Sequence, residues 1–149
     1  MEENYILLVE DNPDDEALIL RSIRANGISN EVVVARDGAE ALEFLFATGQ
    51  YAERDPAELP RFILLNLRLP KVGGLEVLRH VRADERTRLT PVVILTASDD
   101  ERDLIEGYGL RVNGYVRKAV VFTEFANALR QLGLYWTTLN EPPPPPQRR

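Results

Sequence analysis

Two adjacent carboxylates at Glu10 and Asp11, an amide at Asn66, a hydroxyl at Thr96 and an ammonium at Lys118 each close a short apolar run. Neighbouring acids repel one another unless a cation lies between them, and an all-oxygen ligand set suits a hard ion such as Mg²⁺. The acid pair therefore reads as a metal site, and the carbonyl oxygen of Asn66 is a further ligand atom of the same hard kind. Alone, Thr96, Lys118 or the nearby Tyr115 would be an ordinary strand-end residue. Only a fold that brings these positions to one rim gives them a common chemistry.

The runs that precede them supply such a fold. YILLV at 5–9, EVVVA at 31–35, FILLN at 62–66, PVVIL at 91–95 and VNGYV at 112–116 are strand-length segments. Four are almost continuously apolar, as strands covered on both faces are, and each is followed by a segment of helical period. Asn12 is an N-cap, Pro13 takes the first helical position, and Asp14, Asp15 and Glu16 complement the positive end of a helix running to about Asn26, where Gly27 stops it. A second helix follows Asp37-Gly38 with Ala39, Ala41, Leu42, Leu45 and Phe46 on its stripe; a third follows Gly73-Gly74 with Leu75, Leu78 and Val81. A weakly apolar fourth is expected at about 99–108, and a fifth at about 121–136 carries Phe122, Phe125, Ala126, Leu129 and Leu132. The pattern is (βα)5, an α/β doubly wound parallel sheet of five strands. Right-handed crossovers put helices on both faces, and ligands bind beyond the carboxyl ends of the strands.

Composition narrows the class. The chain has 149 residues, 44% apolar and 28% charged, as one globular domain has. It contains no cysteine, which removes thiol redox chemistry and thiolate metal sites. A formal charge of −6 argues against nucleic acid as a partner. With no apolar stretch of membrane length and no basic flank ahead of YILLV, the expectation is a cytoplasmic protein without a membrane partner. The ending NEPPPPPQRR cannot pack a core, so 1–136 reads as the domain and 137–149 as a proline-rich extended tail.

VEDN, NLRLPKVGGLEVL, ILTAS and YVRK, in register along a (βα)5 pattern, resemble the receiver domain of two-component response regulators, the CheY-like family. The resemblance covers residues 5 to about 135 and implies the flavodoxin-like strand order 2-1-3-4-5, which periodicity alone does not give. It places the family's acidic pair on Glu10 and Asp11, its phosphoacceptor aspartate on Asn66, a metal-binding backbone carbonyl on Arg68, and its loop proline and glycine on Pro70 and Gly74. The switch hydroxyl falls on Thr96, the switch aromatic on Tyr115 and the catalytic lysine on Lys118. Ala119 departs from the family, which has a proline there after a cis peptide; a non-proline cis bond costs about 2.5–4 kcal/mol. His80, the sole histidine, lies four residues from both Glu76 and Asp84 on a polar helix face and reads as solvated.

In the family the aspartate attacks a phosphohistidine of a sensor histidine kinase. A neutral amide is a poor nucleophile, so phosphorylation at Asn66 is not expected, and Mg²⁺ binding should be weakened by the missing charge. Natural loss of the acceptor and deliberate replacement both remain open; the retained Thr96, Tyr115 and Lys118 favour recent loss or replacement over long degeneration. The segment TGQYAERDPAELPRF, the VNGYVRK strand and the ending LGLYW further resemble single-domain regulators paired with bacterial phytochrome histidine kinases. That likeness implies such a kinase as partner and a homodimer through the fourth helix, fifth strand and fifth helix, or through the tail. A phosphorylation-independent interaction domain, a pseudo-receiver, is the alternative. An enzyme is not expected, because VEDNPDDE after the first strand offers no Gly-rich phosphate loop and no DxD nucleophile pair.

Overall fold

The computed structural model describes residues 5–25, 27–96, 109–112 and 114–117, with Thr96 and 114–117 described in backbone only. The expected fourth and fifth helices, Lys118, the Lys118–Ala119 bond, the side chains of Thr96 and Tyr115 and the proline-rich tail lie outside the described residues, as does most of the expected dimer face.

Five parallel strands, β1 (Ile6–Val9), β2 (Val32–Ala35), β3 (Phe62–Asn66), β4 (Val92–Thr96) and β5 (Gly114–Arg117), lie in the order β2-β1-β3-β4-β5. The helices α1 (Pro13–Ala25), α2 (Gly38–Phe46) and α3 (Gly74–Ala83) alternate with the first four strands, and a short 3-10 turn at Gly49–Tyr51 follows α2. Successive strand residues face opposite sides, and each side has its own core. Leu7, Val9, Ile63, Leu65, Val92 and Ile94 pack with Ala41, Phe44 and Leu45 of α2 and Val77, Leu78 and Val81 of α3. Ile6, Leu8, Phe62, Leu64, Val93 and Leu95 meet Ile19 and Ile23 of α1. The doubly wound sandwich expected from continuously apolar strands is thus observed.

The local signals work as chemistry requires. Asn12 Oδ1 accepts from the Asp14 and Asp15 N–H groups at 2.9 and 3.0 Å, satisfying the start of α1, and Gly27 just beyond its end has φ 77°. Asp37 caps α2 by accepting from Glu40 N–H at 2.7 Å. Two expectations need correction. Phe44, absent from the expected stripe, is the deepest aromatic of α2 at 1% exposure, while Phe46 is only partly buried. β5 begins at Gly114 rather than 112, because Gly109 and Arg111 at φ 62° and 45° bend the approach and pairing starts where Gly114 meets Val93. Val112 instead packs against the core beside the strand.

The long α2–β3 connection folds on its own contacts. Arg54 lies over the Phe44 ring, 3.9 Å from its centroid, and donates to the Phe44 carbonyl, to Tyr5 Oη at 3.0 Å and to the Glu58 carbonyl at 2.7 Å. Tyr51 donates to Glu40 Oε2 at 2.6 Å, a bond that together with burial pushes its phenol up to about 12, and burial raises Tyr5 as well. Both phenols are held protonated in the fold and ionise near 10 when unfolded. Their stabilising contribution is therefore whole below pH 10 and is lost as pH climbs toward 12. Urea midpoints should be flat with respect to these groups up to pH 10 and fall above it, with the phenolate absorbance of Tyr5 and Tyr51 appearing only as the chain unfolds. Phenolate absorbance from all the tyrosines ahead of unfolding would refute this.

At the far end of α3, Arg82 donates to the carbonyls of Arg88, Thr90, Leu110 and Arg111, tying the entries of β4 and β5 together. Among the described residues no helix is long and apolar enough to cross a membrane.

Candidate functional site

β1 has β2 on one side and β3 on the other, so the connections leave it in opposite directions and a crevice opens beyond the ends of β1 and β3. Val9 pairs with Leu65, which sets Glu10 beside Asn66. Asn66 in turn pairs with Leu95, the residue before Thr96, and Thr96 pairs with Arg117, the residue before Lys118. The backbone thus carries Glu10, Asn66 and Thr96 to one edge of the sheet.

Within the crevice Glu10 is fully buried and Asn66 is 8% exposed, whereas Asp11 is open to solvent. The amide nitrogen of Asn66 donates to Glu10 Oε2 at 2.9 Å, to Asp11 Oδ1 at 3.2 Å and to the Arg68 carbonyl at 3.3 Å. Its carbonyl oxygen turns away and accepts from the Arg68 N–H at 3.4 Å. Three oxygens, two from carboxylates and one from the backbone, therefore converge on one nitrogen. They include the acids and the Arg68 carbonyl expected as ligands; the nitrogen of Asn66, rather than its oxygen, faces them.

The donor set fits a hard divalent cation in kind, since every converging atom is oxygen. In charge it is lean: among the described residues no group of three or more His, Asp or Glu converges.

Supporting residues fix this edge. Gly74 N–H donates to the Leu67 carbonyl at 2.9 Å, and a Cβ at Gly74 would stand 2.5 Å from the Asn66 carbonyl, so only glycine lets α3 start so close to the end of β3. Three contributions were not legible in the sequence. Asn12, read as a helix cap, also donates its N–H to Glu10 Oε2 at 3.2 Å. Gly38 receives the Val72 carbonyl where its Cβ would be, at 1.8 Å. Lys71, at φ 66°, pairs with Asp37 at 3.5 Å across the same junction. The last two join residues more than thirty positions apart, for which no local signal exists. His80 is half-exposed, 3.6 Å from Glu76, and stands on α3 away from this edge, in keeping with a solvated reading.

A family model, the response regulator receiver domain, matches residues 6–130. The chain belongs to the response regulator receiver family. This receiver is 37% identical over 131 residues to the response regulator Rcp1 of Synechocystis, covering 88% of this chain and 87% of that one. It is 39% identical over 140 residues to a probable methanogenesis regulatory protein, FilR2, of Methanothrix harundinacea, covering 94% and 88%. Among solved structures it resembles the bacteriophytochrome response regulator RtBRR, with 48% identity, a TM-score of 0.79, and 97% and 86% of the two chains covered. The Mn²⁺-bound form of Rcp1 superposes with a TM-score of 0.83 at 33% identity, covering 95% and 99%. The receiver fold and its phosphorelay signalling family are thereby shown, and a divalent cation is bound in the solved structure of a relative.

Proposed function

We propose that this receiver is a single-domain response regulator held in its unphosphorylated state by Asn66, with a sensor histidine kinase of the bacterial phytochrome type as its partner. The observation that carries the reading is the buried Asn66 amide, at the end of β3, facing the Glu10–Asp11 pair of a receiver. Likeness to RtBRR and Rcp1 over most of their lengths supports the partner and the single-domain form.

In this reading Glu10, Asp11 and the Arg68 carbonyl would hold Mg²⁺, which when bound neutralises the oxygens of a transferring phosphoryl group. Thr96 and Tyr115 are assigned the switch, and Lys118 the second positive charge. Asn66 supplies no anionic oxygen: its nitrogen lone pair is delocalised into the carbonyl, and both its hydrogens are engaged by acceptors. A carboxylate at the same position could attack the phosphorus of acetyl phosphate, forming an acyl phosphate as the P–O bond to acetate breaks and acetate leaves.

The test is intact mass spectrometry after incubation with Mg²⁺ and acetyl phosphate. This chain should gain nothing and Asn66→Asp should gain one phosphoryl group. If neither is modified, the switch is lost beyond its nucleophile and the pseudo-receiver reading, also consistent with an amide that already satisfies both acids, replaces this one.

A further inference from the structure

We propose that the Asn66 side chain acts as a built-in competitor for the cation, so that the carboxamide lowers divalent-ion affinity below the level reached with no side chain there at all. The proposal rests on the reading above that Glu10, Asp11 and the Arg68 carbonyl form the cation site, and it goes beyond the simple loss of a negative charge.

The geometry separates two effects that a charge count merges. An asparagine that merely lacked a charge would present its carbonyl oxygen to the focus of the site and serve as a neutral ligand. Here the amide is turned the other way. Nδ2, carrying partial positive charge, stands within 3.3 Å of all three oxygens, and Oδ1 is engaged by the Arg68 N–H. The reversed orientation without a cation would set Oδ1 against two carboxylates and a carbonyl, four acceptors with no donor among them. The orientation is thus fixed by the acids themselves.

A cation bound by oxygens at about 2.0–2.1 Å cannot share this focus with an N–H donor. Binding requires the carboxamide to turn by half a rotation, giving up its bonds to Glu10, Asp11 and Arg68. What it offers in return, one amide oxygen, is nearly matched by a water ligand for a hard ion. Hydrogen bonds to a charged group are individually worth enough to shift an equilibrium by tenfold or more. The balance therefore falls against the side chain.

The experiment is Mn²⁺ and Mg²⁺ titration, by calorimetry, of this chain, Asn66→Ala and Asn66→Asp, with melting curves confirming that each is folded. Asn66→Ala should bind Mn²⁺ about three- to tenfold more tightly than the unsubstituted chain, although it removes a ligand atom, and Asn66→Asp should bind more tightly than either. Equal or weaker binding by a folded Asn66→Ala would mean that the amide is a ligand, and would overturn the proposal while leaving the receiver site intact. No binding by Asn66→Asp would overturn the site reading itself. A second readout uses the unsubstituted chain, so it stands even if the alanine variant fails to fold. The two side-chain amide protons of Asn66 should be inequivalent and slow to exchange without metal, and should lose that protection as Mg²⁺ saturates. Unchanged amide protons at saturation would also sink the idea.

Discussion

Replacing Phe44 with alanine is expected to remove about 3–5 kcal/mol of stability, read as a fall in the urea midpoint at unchanged slope. The transfer and cavity costs of a fully buried phenyl ring set that range, and the neighbours push toward its upper end. Tyr5 and Tyr51 meet the ring edge-on at centroid distances of 5.8 and 5.2 Å, and the Arg54 guanidinium covers one face at 3.9 Å. Each aromatic pair adds about 0.5–1.5 kcal/mol, and a desolvated cation over a ring up to about 2, though the sum is not additive. Loss of the ring also strips the cover from Arg54, whose charge then sits beside a void. A folded protein stands only about 5–15 kcal/mol above its unfolded chain, so this one side chain holds a large share of the margin. A measured loss below about 1.5 kcal/mol would show that the α2–β3 connection collapses onto the gap and that the ring is not its anchor.

The second large effect is expected from Gly38→Ala. An added methyl carbon would meet the Val72 carbonyl oxygen at 1.8 Å and its carbon at 2.7 Å, so backbone must move on one side or the other. Overpacking of this kind costs about 1–3 kcal/mol. The displaced segment belongs to the loop between β3 and α3 that begins with Leu67 and Arg68, whose carbonyl is one of the three converging oxygens. Mn²⁺ affinity measured in an Asn66→Asp background should therefore fall along with stability. Stability loss without any change in Mn²⁺ binding would show that residues 68 and 72 move independently.

Gly38 also marks what a sequence can and cannot show. The strands were legible because YILLV, FILLN and PVVIL are short runs that are apolar at every position but Asn66, as strands covered on both faces are. The start of α1 was legible because Asn12-Pro13 followed by three acids is local chemistry. The neighbouring positions of Glu10, Asn66 and Thr96 were legible because strand ends repeat along the chain and a parallel sheet gathers ends of one polarity. Phe44 was missed because α2 is apolar nearly all round, so the period alone does not choose between 44 and 46. The Val72–Gly38 approach was invisible for another reason: it is a contact between two loops, and neither loop's residues signal the other. The orientation of the Asn66 amide was equally beyond the sequence, since it depends on three acceptors drawn from separate segments.

The central place of β1 bears on how the chain is made. Ile6–Val9 pairs on both edges, with residues 32–35 and 62–65, and has no solvent face once folded. During synthesis it emerges before either partner, and one edge stays open until β3 has left the ribosome, an interval in which an apolar strand recruits other chains. Glu2, Glu3, Glu10 and Asp11 flank it in sequence with four negative charges. Such flanking charges act as gatekeepers against self-association, so the acid pair at the mouth of the crevice guards the nascent strand before it serves the finished fold.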